Sequence, residues 1–191
     1  MATLSDLIAP FIKSVASGAT EVYNEFSLQH ELGNFLRREM SNCKVQFERN
    51  VGSFFPDKSQ FSKREIDVTA ICPDLNQLRW AIELKFPRNG QYPETMFSFC
   101  RDIAFVEELK AAGFSQTGLV IFAEDPLFYR GPSDGIYGFF RGGCPLTGRI
   151  QKPTGRKDSE VLVRATYNVK WEVILGSLMY AAIEVVDSSK D

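Results

Sequence analysis

Hydrophobic positions along the chain recur with two different periods, which together predict both helices and strands. Apolar side chains within residues 4–16 return every three or four positions, and this spacing predicts a helix. The same spacing predicts a second helix over residues 21–40. A third helix is predicted over residues 95–112, where Gly113 provides the end signal.

Strict alternation of apolar and polar residues predicts the strands. Residues 44–51 and 65–71 alternate in this way. The segment "LRWAIELKF" (78–86) returns after the turn signal "CPDLNQ", so it is expected to form a hairpin with the preceding strand. The run "TGLVIFAED" (117–125) is almost entirely apolar, which is typical of a strand buried on both faces.

The order of these elements predicts one α/β domain over residues 1–191, with a mixed central β-sheet flanked by helices. Its core spans about 21–125, and a β-rich C-terminal extension spans about 126–187. In the extension, "GPSDGIYGFFRGG" is expected to form a loop and a short strand. The segments "VLVRATYNVKWEVI" and "YAAIEVV" are each expected to be a strand.

Composition narrows the class of protein. A hydrophobic fraction of 44% with 16 Phe is ample for a core, and a net charge of −2 argues against non-specific coating of nucleic acid. A local basic groove remains compatible with that total. No signal-peptide pattern or membrane-length apolar run is present, so we expect no membrane association and a cytoplasmic location. The four scattered cysteines are then expected to be reduced thiols.

Histidine content excludes several kinds of active site. His30 is the only histidine, so two-His metal sites are excluded, and a His-activated nucleophile would have to use this residue. The motif "HELGN" places Asn34 where a zinc protease has its second histidine. We therefore expect no zinc-protease site, and His30 is assigned no catalytic role.

Charged residues stand in the middle of the two hairpin strands. Asp67 lies in "EIDVTAI", and Glu83 and Lys85 share the polar face of "WAIELKF". Paired strands bring side chains of one face together, and two adjacent carboxylates repel unless a cation or a proton lies between them. Oxygen ligands without histidine or thiolate favour Mg²⁺ or Mn²⁺ and indicate phosphodiester chemistry. Taken alone, "ELK" is more typical of a solvated strand face.

The motifs "EIDV" and "AIELK", with sixteen positions from Asp67 to Glu83, resemble the active-site core of the PD-(D/E)xK nuclease superfamily. The resemblance covers about residues 21–125 and includes the order of elements. It implies a restriction-endonuclease-like sandwich in which Asp67 and Glu83 ligate Mg²⁺ or Mn²⁺. It also implies a backbone carbonyl ligand from Leu84 and a catalytic role for Lys85.

Members of this family often add an acid from the helix before the first strand. The predicted helix offers Glu25, Glu31 and Glu39. Glu31 lies at the edge of the apolar stripe, so it is our choice for the catalytic set and for a further metal ligand. Glu48, on the polar face of the strand at 44–51, is the alternative ligand. One departure from the family pattern is Ile66, which stands where a proline often precedes the first acid.

Arg88, Gln91 and Tyr92 follow the "ELK" strand by a few residues and are expected to contact substrate. The resemblance implies a metal-dependent endonuclease, with DNA favoured over RNA, acting in restriction, repair or defence against phage. A homodimer or a partner subunit is compatible with such a role. The first alternative is a catalytically silent member of the fold that binds nucleic acid or regulates a partner. The second alternative is an unrelated α/β protein with "ELK" on its surface.

Overall fold

A six-stranded mixed β-sheet forms the centre of the computed structural model, which describes residues 3–73, 78–155 and 159–186. Its strands are β1 (Lys44–Asn50), β2 (Glu65–Cys72), β3 (Leu78–Lys85) and β4 (Gln116–Ala123), followed later in the chain by β7 (Glu172–Leu175) and β8 (Leu178–Glu184). The strand order is β1-β2-β3-β4-β8-β7. A separate two-stranded sheet contains β5 (Leu146–Gln151) and β6 (Glu160–Tyr167).

In the described residues, four α-helices accompany the strands, namely α1 (Leu4–Ala16), α2 (Glu25–Glu39), α3 (Tyr92–Ala111) and the short α4 (Ile136–Phe140). Helix α2 begins later than predicted because Asn24 caps it. The Asn24 side chain accepts a hydrogen bond from the Ser27 amide (2.7 Å), and the Ser27 hydroxyl accepts one from the Asn24 amide (3.0 Å). None of the helices in the described part of the chain is both long and apolar enough to cross a membrane.

The helices cover both faces of the main sheet. Helices α1 and α2 pack on one face, in a core that includes Phe11, Leu28 and Ile82. Helix α3 packs on the other face, in a core that includes Phe99 and Ile121, and the β5–β6 sheet packs on it. The predicted α/β class, with a mixed sheet flanked by helices, is confirmed.

Strands β3 and β4 are parallel neighbours, while β1, β2 and β3 form an antiparallel meander. The connection between β3 and β4 runs through α3, as a parallel pair requires. The carboxyl ends of β3 and β4 therefore meet at one edge of the sheet. Since β8 pairs antiparallel with β4, the C-terminal extension contributes to the same sheet.

Two predictions for the C-terminal part of the chain are wrong. Residues 136–140 form α4 instead of a strand, and the single strand expected over 161–174 is divided into β6 and β7, which belong to different sheets. The division follows the contacts of residues 168–171, where the Trp171 indole donates a hydrogen bond to the Phe140 carbonyl (2.7 Å). Most of the predicted hairpin turn, residues 74–77, lies outside the described residues.

The expectation of reduced thiols is also wrong for two of the four cysteines. Cys43 and Cys72 form a disulfide, with 4.2 Å between their Cα atoms. The cause is the β1–β2 register, in which Lys44 is opposite Ile71, so that the adjoining cysteines face each other. Because disulfides persist mainly in oxidising compartments, the argument for a cytoplasmic location loses the support of reduced thiols.

Candidate functional site

Three acidic residues lie side by side across the first three strands of the sheet. The pairs Phe47–Val68 and Arg49–Ile66 place Glu48 opposite Asp67. The register of β2 with β3, read one position beyond the Val68–Ile82 pair, places Asp67 opposite Glu83. We call Glu48, Asp67 and Glu83 the acidic rung. Like charges that face each other across strands destabilise a sheet, so packing alone does not explain this arrangement.

The regular strand geometry is interrupted at the acidic rung. Glu48 has φ of 47°, a left-handed conformation that is uncommon for a residue with a side chain. Side chains take the place of ladder hydrogen bonds between β2 and β3. The Asp67 carboxylate accepts a hydrogen bond from the Leu84 amide (2.7 Å), and the Glu83 carboxylate accepts one from the Asp67 amide (3.3 Å). Each carboxylate is thereby held by a backbone amide of the neighbouring strand, that of Leu84 for Asp67 and that of Asp67 for Glu83.

Glu83 is fully buried, and this dominates its chemistry. Burial, followed by the charge of Asp67, raises the pKa of Glu83 to about 8, although Lys63 opposes the rise. Burial likewise raises the pKa of Asp67 to about 6, against the charges of Lys85 and Lys63. Both shifts favour the protonated carboxyl groups, so an added positive charge at this position would favour the ionised pair.

Lys63, which precedes β2, is the closest cation to the acidic rung. Its ammonium donates hydrogen bonds to Glu83 and to Asp102 of α3, the latter at 2.8 Å. Burial lowers the pKa of Lys63, but the charges of Glu83 and Asp102 more than offset this and raise it above its ordinary value. Lys63 therefore stays charged and joins β3 to α3. Neither Lys63 nor Asp102 was among the residues predicted for the site.

Lys85 lies between two acids on different helices. Its ammonium donates to the Leu84 carbonyl (2.8 Å) and to Glu25 of α2 (3.3 Å), and it is 3.6 Å from Asp102 Oδ2. Burial lowers its pKa, but the charges of Asp102, Glu25 and Asp67 raise it above the ordinary value overall. Lys85 is thus held as an ammonium ion beside the acidic rung, as a positive charge instead of a proton acceptor.

The first two turns of α2 contribute two polar side chains. The Glu25 carboxylate accepts hydrogen bonds from Lys85 and from the Phe86 amide (3.2 Å). One turn later, the Gln29 amide donates to Glu48 (2.5 Å) and to the Asp67 carbonyl (2.9 Å). Gln29 therefore ties α2 to the two strands at the acidic rung.

Glu31, the helix acid chosen from the sequence, does not join this cluster. Its carboxylate contacts the His30 ring at 3.1 Å, and no described hydrogen bond or ion pair connects it to the acidic rung. At about 100° per residue, Glu31 is turned by roughly 200° from Gln29, which does face the strands. The helix acid at the site is Glu25, and the alternative ligand Glu48 lies in the acidic rung.

The three residues expected to contact substrate make their described contacts near the end of β4 and the start of α3. Arg88 pairs with Glu124 at the end of β4. The Tyr92 hydroxyl donates to Asp125 (2.5 Å), and the Gln91 carbonyl accepts a hydrogen bond from an amide in the first turn of α3. The Tyr92 contact fastens α3 to the segment after β4, and a role of the three residues in substrate binding stays a prediction.

A cavity of about 290 Å³ opens at the acidic rung. Six residues line it, and they are Glu25, Phe26, Gln29, Glu48, Asp67 and Leu84. Within the described ranges, no three acidic, histidine or cysteine side chains are already arranged around one point to hold a metal ion. The donors are nevertheless all oxygen atoms, the type that Mg²⁺ and Mn²⁺ prefer, and the buried Asp102 Oδ2 accepts no hydrogen bond. These residues supply the oxygen donors that such a cation prefers. To bind it, their side chains would have to turn toward a common point.

Comparisons with models of protein families, with curated proteins and with solved structures find no match to this chain. The site must therefore be interpreted from its own geometry.

Proposed function

We propose that the protein is a metal-dependent nuclease of the PD-(D/E)xK type that hydrolyses phosphodiester bonds, with DNA favoured over RNA. The observation that carries the proposal is the acidic rung with Lys85 beside it. Three carboxylates on neighbouring strands, two of them with raised pKa values, form an arrangement that a divalent cation would relieve. The likeness of "EIDV" and "AIELK" to the motifs of that superfamily supports the same assignment. Restriction, repair and defence against foreign DNA are the settings that this likeness suggests.

Asp67, Glu83 and the Leu84 carbonyl are the proposed ligands of Mg²⁺ or Mn²⁺, with Glu48 as a further ligand. When bound, the ion would supply positive charge against the phosphodiester and make an attacking water more acidic. The remaining tasks belong to side chains of the chain itself. Gln29 would keep Glu48 and the β2 backbone in register, and Lys63 would keep Glu83 anchored to α3.

Lys85 would offset the negative charge that develops on the phosphate oxygens as water attacks phosphorus and the ester P–O bond breaks. Its contacts with Glu25 and Asp102 hold the ammonium in place for this role. The proton lost by the attacking water would pass to solvent, because the carboxylates of Asp67 and Glu83 are engaged as the proposed ligands. The departing oxygen would take its proton from solvent.

Cleavage of supercoiled plasmid, single-stranded DNA and RNA in the presence of Mg²⁺ tests the proposal. Asp67→Asn keeps an acceptor for the Leu84 amide, and Lys85→Met keeps the length of the side chain. We expect each variant to lose about 100-fold or more in rate. Lys13→Met, on the exposed surface of α1, is the matched control and should cleave normally. A wild-type protein that cleaves none of these substrates with Mg²⁺ or Mn²⁺ would contradict the proposal.

A catalytically silent binding subunit of the same fold is the second candidate. The contact that favours it is the ion pair of Lys63 with Glu83, because an internal ammonium already neutralises one of the proposed ligands. In that case the wild-type protein should bind nucleic acid without cutting it. Wild type, Asp67→Asn and Lys85→Met should then all yield no cleavage products, so the same assays separate the two candidates.

A further inference from the structure

Two aromatic side chains stand in solvent around the start of α2, at Phe26 and just before the Asn24 cap at Tyr23. The chain has 16 Phe, six Tyr and two Trp, all within the described residues. Only Phe26, at 74% exposure, and Tyr23, at 57%, are exposed among them. Both lie at the start of α2, the helix that provides Glu25 to the site. An isolated exposed apolar residue is common, so exposure alone gives Phe26 no role, and its position at the cavity is what distinguishes it.

Phe26 is also the aromatic residue of the cavity that Glu48 and Asp67 of the acidic rung line. The cap of α2 fixes its backbone, since Asn24 and Ser27 exchange side-chain to backbone hydrogen bonds on either side of it. The ring is therefore presented from a rigid helix turn. At about 290 Å³ the cavity is close to the lower limit, about 300 Å³, of typical small-molecule sites.

The chemistry of the cavity restricts what can lie against this ring. Three carboxylates line it, so a phosphate cannot approach without a cation, but an uncharged aromatic group can. Carboxylates and the Gln29 side chain can accept hydrogen bonds from the amino groups of nucleobases. A base offers its flat face to a protein ring only when it is unpaired and unstacked from its neighbours.

We infer that Phe26 is a stacking platform for an unpaired nucleobase next to the cleaved phosphodiester. The preferred substrate class is then single-stranded nucleic acid, or duplexes with unpaired ends, instead of continuous duplex. This inference rests on the proposed function for the position of the phosphodiester. Its test measures binding, so that it can fail or succeed independently of cleavage.

The test uses the full chain, Mg²⁺, and fluorescently labelled phosphorothioate oligonucleotides, which resist hydrolysis, as a single strand and as a blunt duplex of the same sequence. Phe26→Leu removes the π-face and keeps apolar bulk, and we expect it to bind the single strand about 5- to 100-fold more weakly. Duplex binding should stay within a factor of two or so of the wild type. Phe26→Trp should keep the affinity, and its indole fluorescence should be quenched by the single strand only.

Val173→Ala, an exposed apolar position on β7, is the control and should bind like the wild type. Three results would overturn the inference: unchanged single-strand affinity in Phe26→Leu, an equal loss for duplex, or no single-strand binding by the wild type. If the wild type cleaves nothing but these binding differences appear, the stacking platform stands and the nuclease proposal fails. If it cleaves and Phe26→Leu is unaffected, the nuclease proposal stands and the platform fails.

Discussion

The buried carboxyl group of Glu83 allows the electrostatics of the site to be measured without any ligand. Glu83→Gln is the appropriate change, because glutamine has nearly the same shape and cannot ionise. At low pH the wild-type side chain is also neutral, so the two proteins should differ least there. At high pH the wild type must hold a charge where no solvent reaches, whereas the variant does not.

The expected size follows from the pKa of Glu83, which is raised from 4.5 to about 8 in the folded protein. For an acid with a raised pKa, the stabilising contribution is complete below the unfolded value and is lost as pH rises toward the folded value. The window therefore runs from about pH 4.5 to about pH 8. Across it the wild type loses, relative to the variant, on the order of 5 kcal/mol, at up to about 1.4 kcal/mol per pH unit.

Urea unfolding between pH 5 and pH 9, followed by circular dichroism, measures this difference. With an m-value of about 2 kcal/mol per molar, Glu83→Gln should unfold roughly 2 M later than the wild type at high pH. Glu39→Gln, at the exposed end of α2, should follow the wild type throughout. Parallel curves for wild type and Glu83→Gln would refute the reasoning, because they would mean that Lys63 neutralises Glu83 completely.

Three further changes test other contacts by the same unfolding measurement. Lys63→Met should cost about 3 kcal/mol at pH 8 and less at pH 5, because it leaves Glu83 without its cation except where a proton can replace it. Reduction of the disulfide should cost about 3–4 kcal/mol, since a link between residues 29 positions apart restricts the unfolded chain. Gly33→Ala should destabilise by about 1–2 kcal/mol despite its better helix propensity, because the new methyl group would lie 1.9 Å from the Phe47 ring.

Each of these changes has its own control and its own contradicting result. Lys13→Met should leave stability unchanged at both pH values, and an equal loss for Lys63→Met at pH 5 and pH 8 would contradict the role given to Glu83. Titration of free thiols in the unfolded protein should find two before reduction and four after it, and four before reduction would exclude the disulfide. A stabilised Gly33→Ala variant would show that α2 and β1 are not in close contact.

The β2–β3 part of the site could be predicted because it depends on local rules. Side chains alternate between the two faces along a β-strand, which determines which of them share a face. The hairpin then places residues that are near in sequence opposite each other. The expectation that Asp67 and Glu83 lie together follows from these rules, and the register of β2 and β3 agrees with it. The metal and the reaction stay predictions, because they concern molecules that bind the chain.

Which helix side chains reach the site depends on how each helix packs on the sheet. The periodicity of a single helix does not determine this packing. The sequence identified α2 but placed its start at 21 instead of 25, and that shift obscures Glu25 as a first-turn residue that reaches β3. Lys63 lies in a polar connection with no recognisable pattern. Asp102 did carry a signal, because it is an acid within the apolar run "FSFCRDIAFV" and had to be buried with a partner.

The disulfide also determines how the strands that form the acidic rung align when the chain folds. Each cysteine lies five residues in sequence from an acid of the acidic rung, Cys43 from Glu48 on β1 and Cys72 from Asp67 on β2. A shift of the strand register by one position would exchange the two faces of the strand. Repulsion between the opposed carboxylates favours such a shift. The covalent link admits a single alignment of β1 with β2. The disulfide therefore fixes the strand register in which Glu48 lies opposite Asp67.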